Sequence, residues 1–286
     1  MSQKVFPEVL LRVHEVLAAE GRVALCQIVR TEGSTPGKPG WKMLVHDGGS
    51  AIGNLGGGAF EALVTADATQ MLHEDSPTGE VKRYYFTEKA VRGEPTGMVC
   101  GGMAEVFLEV MTSSPLLVVC GGGPVGQALA VAGELADFDV LVAEDRPEFL
   151  DTSLFSDSVL RQDVDRDYSS DFLESVSNRD LYIAIVTRCW ETDSAALASV
   201  LRQAPSHLRY LGLMGSSRKV ERVQQEVLTA GHSLDGTALH APIGLPIGGD
   251  SPGEIAISIM AEIVQQRRSR TPAVPETPAA ILEKIG

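Results

Sequence analysis

The sequence predicts an α/β protein of two domains, the second of them a parallel sheet covered by helices, and three observations predict it. The first is the stretch Leu116 to Asp145. An apolar run, Leu116-Leu117-Val118-Val119-Cys120, leads into Gly121-Gly122-Gly123-Pro124-Val125-Gly126, then a helical pattern, then Val140-Leu141-Val142-Ala143 closed by Glu144-Asp145. The second is the alternation that follows, with strand-like runs at 181–186 and 208–214 interleaved with helical ones at 194–203 and 218–229; that order builds a parallel sheet. The third is a short polar break, Met111-Thr112-Ser113-Ser114-Pro115, immediately before the first of these strands. It divides the chain into an N-terminal domain over 1–113, a Rossmann-like domain over 114–269 and a Pro/Ala-rich tail over 270–286.

The N-terminal elements follow in order. Val5, Val9, Leu10, Val13, Val16 and Leu17 recur at helical spacing up to Gly21, a helix stop, and Val23 to Val29 reads as a strand. Thr31 to Gly40 is a turn-rich loop, Trp41 to His46 a strand and Asp47-Gly48-Gly49 a hairpin signal. Gly56-Gly57-Gly58 precedes a helix from about Ala59 to Leu72, and strands follow at 81–86 and 103–110. After the second domain's alternating elements, Ser251 and Pro252 suit the N-cap and first turn of a last helix over about 254–266.

Composition excludes several classes. A chain of 286 residues buries roughly 75% of its unfolded surface, so stability needs no metal or disulfide staple. The four cysteines (Cys26, Cys100, Cys120, Cys189) form no C-x-x-C and have no nearby paired histidines, and Cys26 and Cys120 lie in apolar strand-like runs expected in the core. A net charge of −14 argues against a nucleic-acid or anionic-membrane surface. No apolar run approaches about 18 residues and no signal peptide is evident, so a cytoplasmic protein is expected. G-x-S-x-G, H-E-x-x-H, P-loop and EF-hand spacings are absent, which leaves hydrolase-type acyl transfer, metal hydrolysis, NTP hydrolysis and calcium binding without support.

An anionic ligand of so acidic a chain must be held by local devices. In G-x-G-x-x-G, Gly121, Gly123 and Gly126 allow a tight turn and close approach to a pyrophosphate, the helix N-terminus supplies orphan N–H groups, and Glu144 or Asp145 can accept from a ribose hydroxyl. Gly56, Gly57 and Gly58 form a second candidate cradle. Cys100, followed by Gly101 and Gly102, is the most plausible reactive thiol, although no neighbouring cation lowers its pKa. In Gly215-Ser216-Ser217-Arg218-Lys219 two cations stand in the first turn of a helix, against its dipole; a bound anion would remove the conflict. His240 could join the same cleft. Each signal has a structural alternative: close strand-to-helix turns for the glycines, an inert cysteine, cations turned to solvent, a histidine in a structural role.

Taken together, the segments resemble the xanthine dehydrogenase accessory factor family, the XdhC type. The match is carried by Gly33-Ser34-Thr35-Pro36 with Gly40-Trp41-Lys42-Met43, Gly56 to Glu61, Cys100 to Val106, and Gly121 to Gly126 with Glu144 to Phe149. It continues through Tyr210 to Lys219, His240 to Leu245 and Ser251 to Ala256. The resemblance implies a family-specific N-terminal α/β domain joined to a Rossmann-like one. It also implies a chaperone that binds molybdenum cofactor (molybdopterin) and helps insert its sulfurated form into a xanthine dehydrogenase-type molybdenum hydroxylase. The implied partners are that client and a cysteine desulfurase. Two departures are visible: the family commonly has Cys where this chain has Ala59, and Thr-His-Gly-His where it has Thr187-Arg188-Cys189-Trp190-Glu191. A thiol role is thereby left mainly to Cys100, with Cys189 behind it.

Two further functions compete. A nicotinamide-dependent oxidoreductase would use the fingerprint for NAD, with His240 and Lys219 as its only nominees for proton transfer. A nucleotide-sensing module would bind ligand without chemistry. A homodimer is the default assembly for a protein of this kind.

Overall fold

A computed structural model describes residues 5–46, 48–73, 79–86, 94–95, 101–176, 179–205, 207–234 and 239–269. The chain divides into two compact units, Met1–Ser113 and Ser114–Gly286.

In the second unit the central strands are apolar at every position, as a sheet covered on both faces requires. Leu116–Cys120 (β7) and Leu181–Ile185 (β10) are buried throughout and pair in parallel. Around them stand Asp139–Glu144 (β8), Leu160–Asp163 (β9), Leu208–Leu213 (β11) and Leu239–His240 (β12), in the spatial order β12-β11-β10-β7-β8-β9, every pair parallel. Successive side chains point to opposite faces. Leu116, Val118 and Cys120 join a core with Leu197 and Val200 of Trp190–Gln203 (α4) and Val220 and Val223 of Ser217–Thr229 (α5). Leu117 and Val119 join one with Leu129 of Pro124–Leu135 (α3) and Ile259 and Ile263 of Pro252–Ser269 (α6). The result is three layers, helix pair on sheet on helix pair.

The first unit has an antiparallel sheet with one parallel edge. Arg22–Glu32 (β1) pairs with Lys42–Val45 (β2) and Met103–Thr112 (β6), β2 with Ala51–Gly53 (β3), and β6 with Glu80–Tyr85 (β4), whose parallel neighbour is Glu94–Pro95 (β5). Gly58–Leu72 (α2) lays Phe60, Val64, Ala68 and Met71 on one face, against Ala24, Cys26 and Ile28. Val5–Glu20 (α1) covers the other with Val9, Val13 and Val16 against Val23 and Leu44.

Local readings differ from the structure at element ends and in two short strands, β5 and β9, that the sequence reading did not include. β1 runs on to Glu32, so the glycine loop starts at Gly33, and α4 begins at Trp190 rather than 194. Glu191 and Asp193 explain the earlier start: carboxylates in a first helical turn favour its positive end. Ser251 does cap α6, its hydroxyl facing the Glu254 N–H at 3.4 Å while Glu254 accepts from the Ser251 N–H at 3.0 Å. Cys26 and Cys120 are buried, and burial pushes the Cys26 thiol up to about 12 and raises Cys120 as well. Of the hairpin signal, Asp47 lies outside the described residues, while β2 and β3 pair antiparallel across it. The tail over 270–286 also lies outside them, and among the described residues no helix is long and apolar enough to cross a membrane.

Candidate cofactor-binding site

The strand order of the second unit reverses between β7 and β10, and the glycine turn leaves β7 at that point. The three fingerprint glycines have separate reasons to be glycine. At Gly121 φ is +120°, and a Cβ would stand 2.8 Å from the Val186 carbonyl oxygen. On Gly126 it would stand 1.9 Å from the Gly121 carbonyl oxygen, so this glycine lets α3 press onto the turn. Around Gly123 a Cβ would meet nothing within 4 Å, so the N-cap position of α3 faces open space. Pro124 opens the helix, where a missing N–H costs nothing.

Both acids at the end of β8 are engaged. Glu144, 2% exposed, accepts from the Gly122 N–H at 2.7 Å with one oxygen and from Arg146 Nε at 2.8 Å with the other. Its second oxygen also takes the N–H groups of Asp145 and Arg146, each at 3.1 Å. Asp145 forms a two-pronged pair with Arg188 at 2.5 and 2.7 Å. That guanidinium holds its carboxyl well below the usual range, to about 2. The expected ribose acceptors thus close upon the turn and two arginines.

At the end of β11, Ser216 caps α5 by accepting from the Lys219 N–H at 3.4 Å. The two cations of the first turn part company. Arg218 is exposed, whereas Lys219 bends back over Gly215, donates to the Met214 carbonyl at 3.2 Å and pairs with buried Asp193. His240 stacks on Tyr210 at 4.5 Å, and its Nδ1 lies 3.0 Å from Glu262. Glu262 also accepts from the Tyr210 hydroxyl at 2.5 Å and the Gly244 N–H at 2.7 Å. Burial raises the Glu262 carboxyl, but the hydrogen bonds it accepts outweigh that and lower it overall.

In the first unit three glycine motifs converge. A Cβ on Gly37 would stand 2.1 Å from the Leu55 carbonyl oxygen, and one on Gly102 2.2 Å from that of Ser34. The segments 33–37, 55–58 and 101–102 are therefore packed backbone to backbone, with Gly101 and Gly102 held to Phe86 by bonds of 2.8 and 2.9 Å. Gly57, Gly58 and Gly101 all have positive φ, and a Cβ on any of them would meet nothing within 4 Å. The cradle at Gly56-Gly57-Gly58 exists, but its donors converge on the chain's own carboxylate. Glu61 Oε1 accepts from the N–H groups of Leu55, Gly56 and Gly57 at 2.7, 3.1 and 2.9 Å. Cys100 precedes Gly101 and lies outside the described residues. Cys189 is the N-cap residue of α4, partly buried, with Sγ 3.3 Å from the Thr192 hydroxyl.

Sequence reasoning passed over Glu61, Asp193, Thr187, Arg188 and Glu262. Only Glu61 had a local signal, an acid in the first turn after a glycine run. The others act across separations such as the 43 residues between Asp145 and Arg188.

Fold and site together define an α/β protein in which an antiparallel unit precedes a Rossmann-type unit with a glycine turn at its strand-order reversal. The chain belongs to the XdhC family: the family's XdhC Rossmann domain matches residues 117–263 and the XdhC and CoxI family domain residues 16–85. It is 34% identical over 249 residues to the uncharacterized protein YqeB of Escherichia coli, and 27% identical over 197 residues to a probable xanthine dehydrogenase subunit of Bacillus subtilis. These matches take in 86% and 68% of this chain but 44% and 53% of the relatives, so the chain spans about half their length. A Bacillus halodurans crystal structure described as a xanthine dehydrogenase aligns over 96% of this chain and 99% of its own, at 21% identity and a TM-score of 0.47.

Proposed function

We propose that this protein is an accessory factor of a xanthine dehydrogenase-type system, which binds molybdenum cofactor and serves its insertion, in sulfurated form, into a molybdenum hydroxylase. The observation that carries the reading is the glycine turn of the second unit, whose helix start stays open at Gly123 while the acid below it is engaged by Gly122 and Arg146. Gly57, Gly58 and Gly101 in the first unit and Gly123 in the second present backbone where a Cβ would meet open space. At Gly123 the groups present fit a phosphate-bearing pterin, because a helix start that no side chain fills accepts an anion without requiring a basic surface, whereas the Gly57 and Gly101 N–H groups are already held by Glu61 and the Phe86 carbonyl. Bound, the cofactor carries the metal centre that the client uses.

This chain's own residues then bind and orient. Gly123 and Gly126 shape the turn, and the helix after β11 contributes Lys219. Cys100, next to Gly101 in the sequence, is the proposed thiol contact for the sulfurated form. The proposed partners are a hydroxylase client and a cysteine desulfurase, and the proposed assembly is a homodimer in the cytoplasm. A dehydrogenase would need Glu144 or Asp145 free for the ribose of NAD. Both are engaged, Glu144 by the turn itself and Asp145 by Arg188, so the accessory reading ranks first.

The test is transfer. Full-length protein loaded with molybdenum cofactor is mixed with cofactor-free hydroxylase and the recovered activity measured, with Cys100→Ala alongside. The reading expects recovery beyond that given by free cofactor, reduced in Cys100→Ala. Recovery no better than with free cofactor would remove it.

A further inference from the structure

We propose that Lys219 is the charged contact for a ligand phosphate at the strand-order reversal of the Rossmann-type unit, and that Asp193 is the positioning residue that fixes its ammonium there. The inference rests on the reading of this unit as the holder of a phosphate-bearing cofactor, and names the side chains that do the holding.

The geometry is a chain of contacts across three adjacent strand ends. Thr187 follows β10 and lies against the glycine turn, its Cα 3.0 Å from where a Cβ on Gly121 would stand. Its hydroxyl donates to Asp193 Oδ1 at 2.6 Å. The other oxygen of Asp193 pairs with Lys219 Nζ, which also donates to the carbonyl of Met214, the residue after β11, at 3.2 Å. Asp193 itself is 0% exposed, while the Lys219 side chain is 24% exposed. The pair thus runs from the interior to the rim at the carboxyl ends of the strands, the edge where open parallel sheets take ligands.

A purely structural role accounts poorly for this arrangement. Removing a carboxylate from water is costly, and an apolar pair of similar size commonly serves stability as well or better. Burial does raise the Asp193 carboxyl, opposed by its bonds to Lys219 and Thr187. The arrangement also constrains Gly215: a Cβ there would stand 2.7 Å from Lys219 Cδ, so glycine leaves the lysine stem its path back toward α4. An ammonium has three N–H groups. Among the described residues two acceptors are found for Lys219, Asp193 and the Met214 carbonyl, and the third N–H remains for a ligand oxygen. Lysine binds phosphate as a point charge, so its value depends on where the charge is held. Asp193 and Met214 hold it, and Arg218, exposed in the same turn, has no such anchor described.

The phosphate could belong to a pterin cofactor or to a dinucleotide, so the experiment separates them. Inorganic pyrophosphate, molybdenum cofactor and NAD are each titrated into the full chain, at two salt concentrations, for wild type, Asp193→Asn and the neutral pair Asp193→Asn/Lys219→Met. The pair keeps shape and buries no lone charge; its melting temperature verifies folding. Pyrophosphate is expected to bind wild type and to bind the pair about tenfold more weakly, with a shallower salt dependence because the ammonium that meets the phosphate is gone. Asp193→Asn keeps the charge, so its affinity falls by a smaller factor while the salt dependence stays. Pyrophosphate binding that is undetectable in wild type, or equal in wild type and the pair, overturns the inference. Equal binding of molybdenum cofactor by both overturns it while the accessory reading stands; Lys219-dependent binding of pyrophosphate without binding of molybdenum cofactor does the reverse. Loss of NAD binding in the pair supports the inference with a dinucleotide as the source.

Discussion

In the N-terminal unit Glu61 brings one carboxylate oxygen against three backbone N–H groups of its glycine loop, whereas in the C-terminal unit Glu144 takes a single N–H from the turn and spends its remaining capacity on Arg146 and the next two amides. The first loop is a filled anion cradle. The second is a turn whose acid has been drawn beneath it, leaving the α3 N-terminus open at Gly123. Glycine at a helix start therefore does not by itself mark a vacant anion site; the partner of each N–H decides. The same lesson applies at Gly244 and at Asp250-Ser251, whose amides are taken by Glu262 and Glu254.

The largest expected effect separates the two acids. Glu144→Ala leaves the Gly122 N–H buried without its acceptor and strips Arg146 of its partner, and should cost about 3–4 kcal/mol in a urea melt of the second unit. A cost under about 1 kcal/mol would mean that the closed arrangement is not the resting one. Next comes the turn itself. Gly126→Ala drives a Cβ into the Gly121 carbonyl and should cost about 3 kcal/mol, roughly 6–12 °C in melting temperature, while Gly123→Ala, which points into open space, should stay within about 0.5 kcal/mol. Equal losses for the two would contradict the different roles given to these glycines.

A smaller change is expected for Glu61→Ala, about 1–2 kcal/mol, because its three donors are part-buried and water can reach them. This variant also sharpens the comparison. A cradle filled by a carboxylate should accept a free one, so acetate at high concentration should restore part of the lost melting temperature in Glu61→Ala and not in Glu144→Ala. The smallest effect concerns pH. The Asp145 carboxyl is depressed from 3.8 to about 2, chiefly by its hydrogen bonds to Arg188, so its stabilisation is fully present above the unfolded pKa and is lost as pH falls from about 4 toward 2. Melting curves of wild type and Asp145→Asn between pH 5 and pH 2.5 should converge on the acid side; parallel curves would show the pair to contribute nothing.

How much of this could be read from the chain follows from the range over which each cause acts. The β7 to β8 segment was legible because a strand, a glycine turn, a helix and a second strand each leave a local signal, and the parallel sheet followed from their alternation. The pairing of acids did not. Glu144 and Asp145 stand where a ribose acceptor belongs, and nothing nearby in sequence announces that Arg188 and the Gly122 amide reach them first. Lys219 was readable as a cation misplaced against a helix dipole, but its answer lies 26 residues upstream in Asp193, on another helix. Glu61 is the exception, since an acid in the first turn after Gly56-Gly57-Gly58 could have been read as the filler of the cradle.

The most direct measurement is a calorimetric titration of the full chain with molybdenum cofactor, with Gly123→Val and Cys100→Ala in parallel. The account predicts binding in wild type that weakens in both variants while each keeps its fold. Absence of binding in wild type, or binding that neither substitution alters, would contradict it.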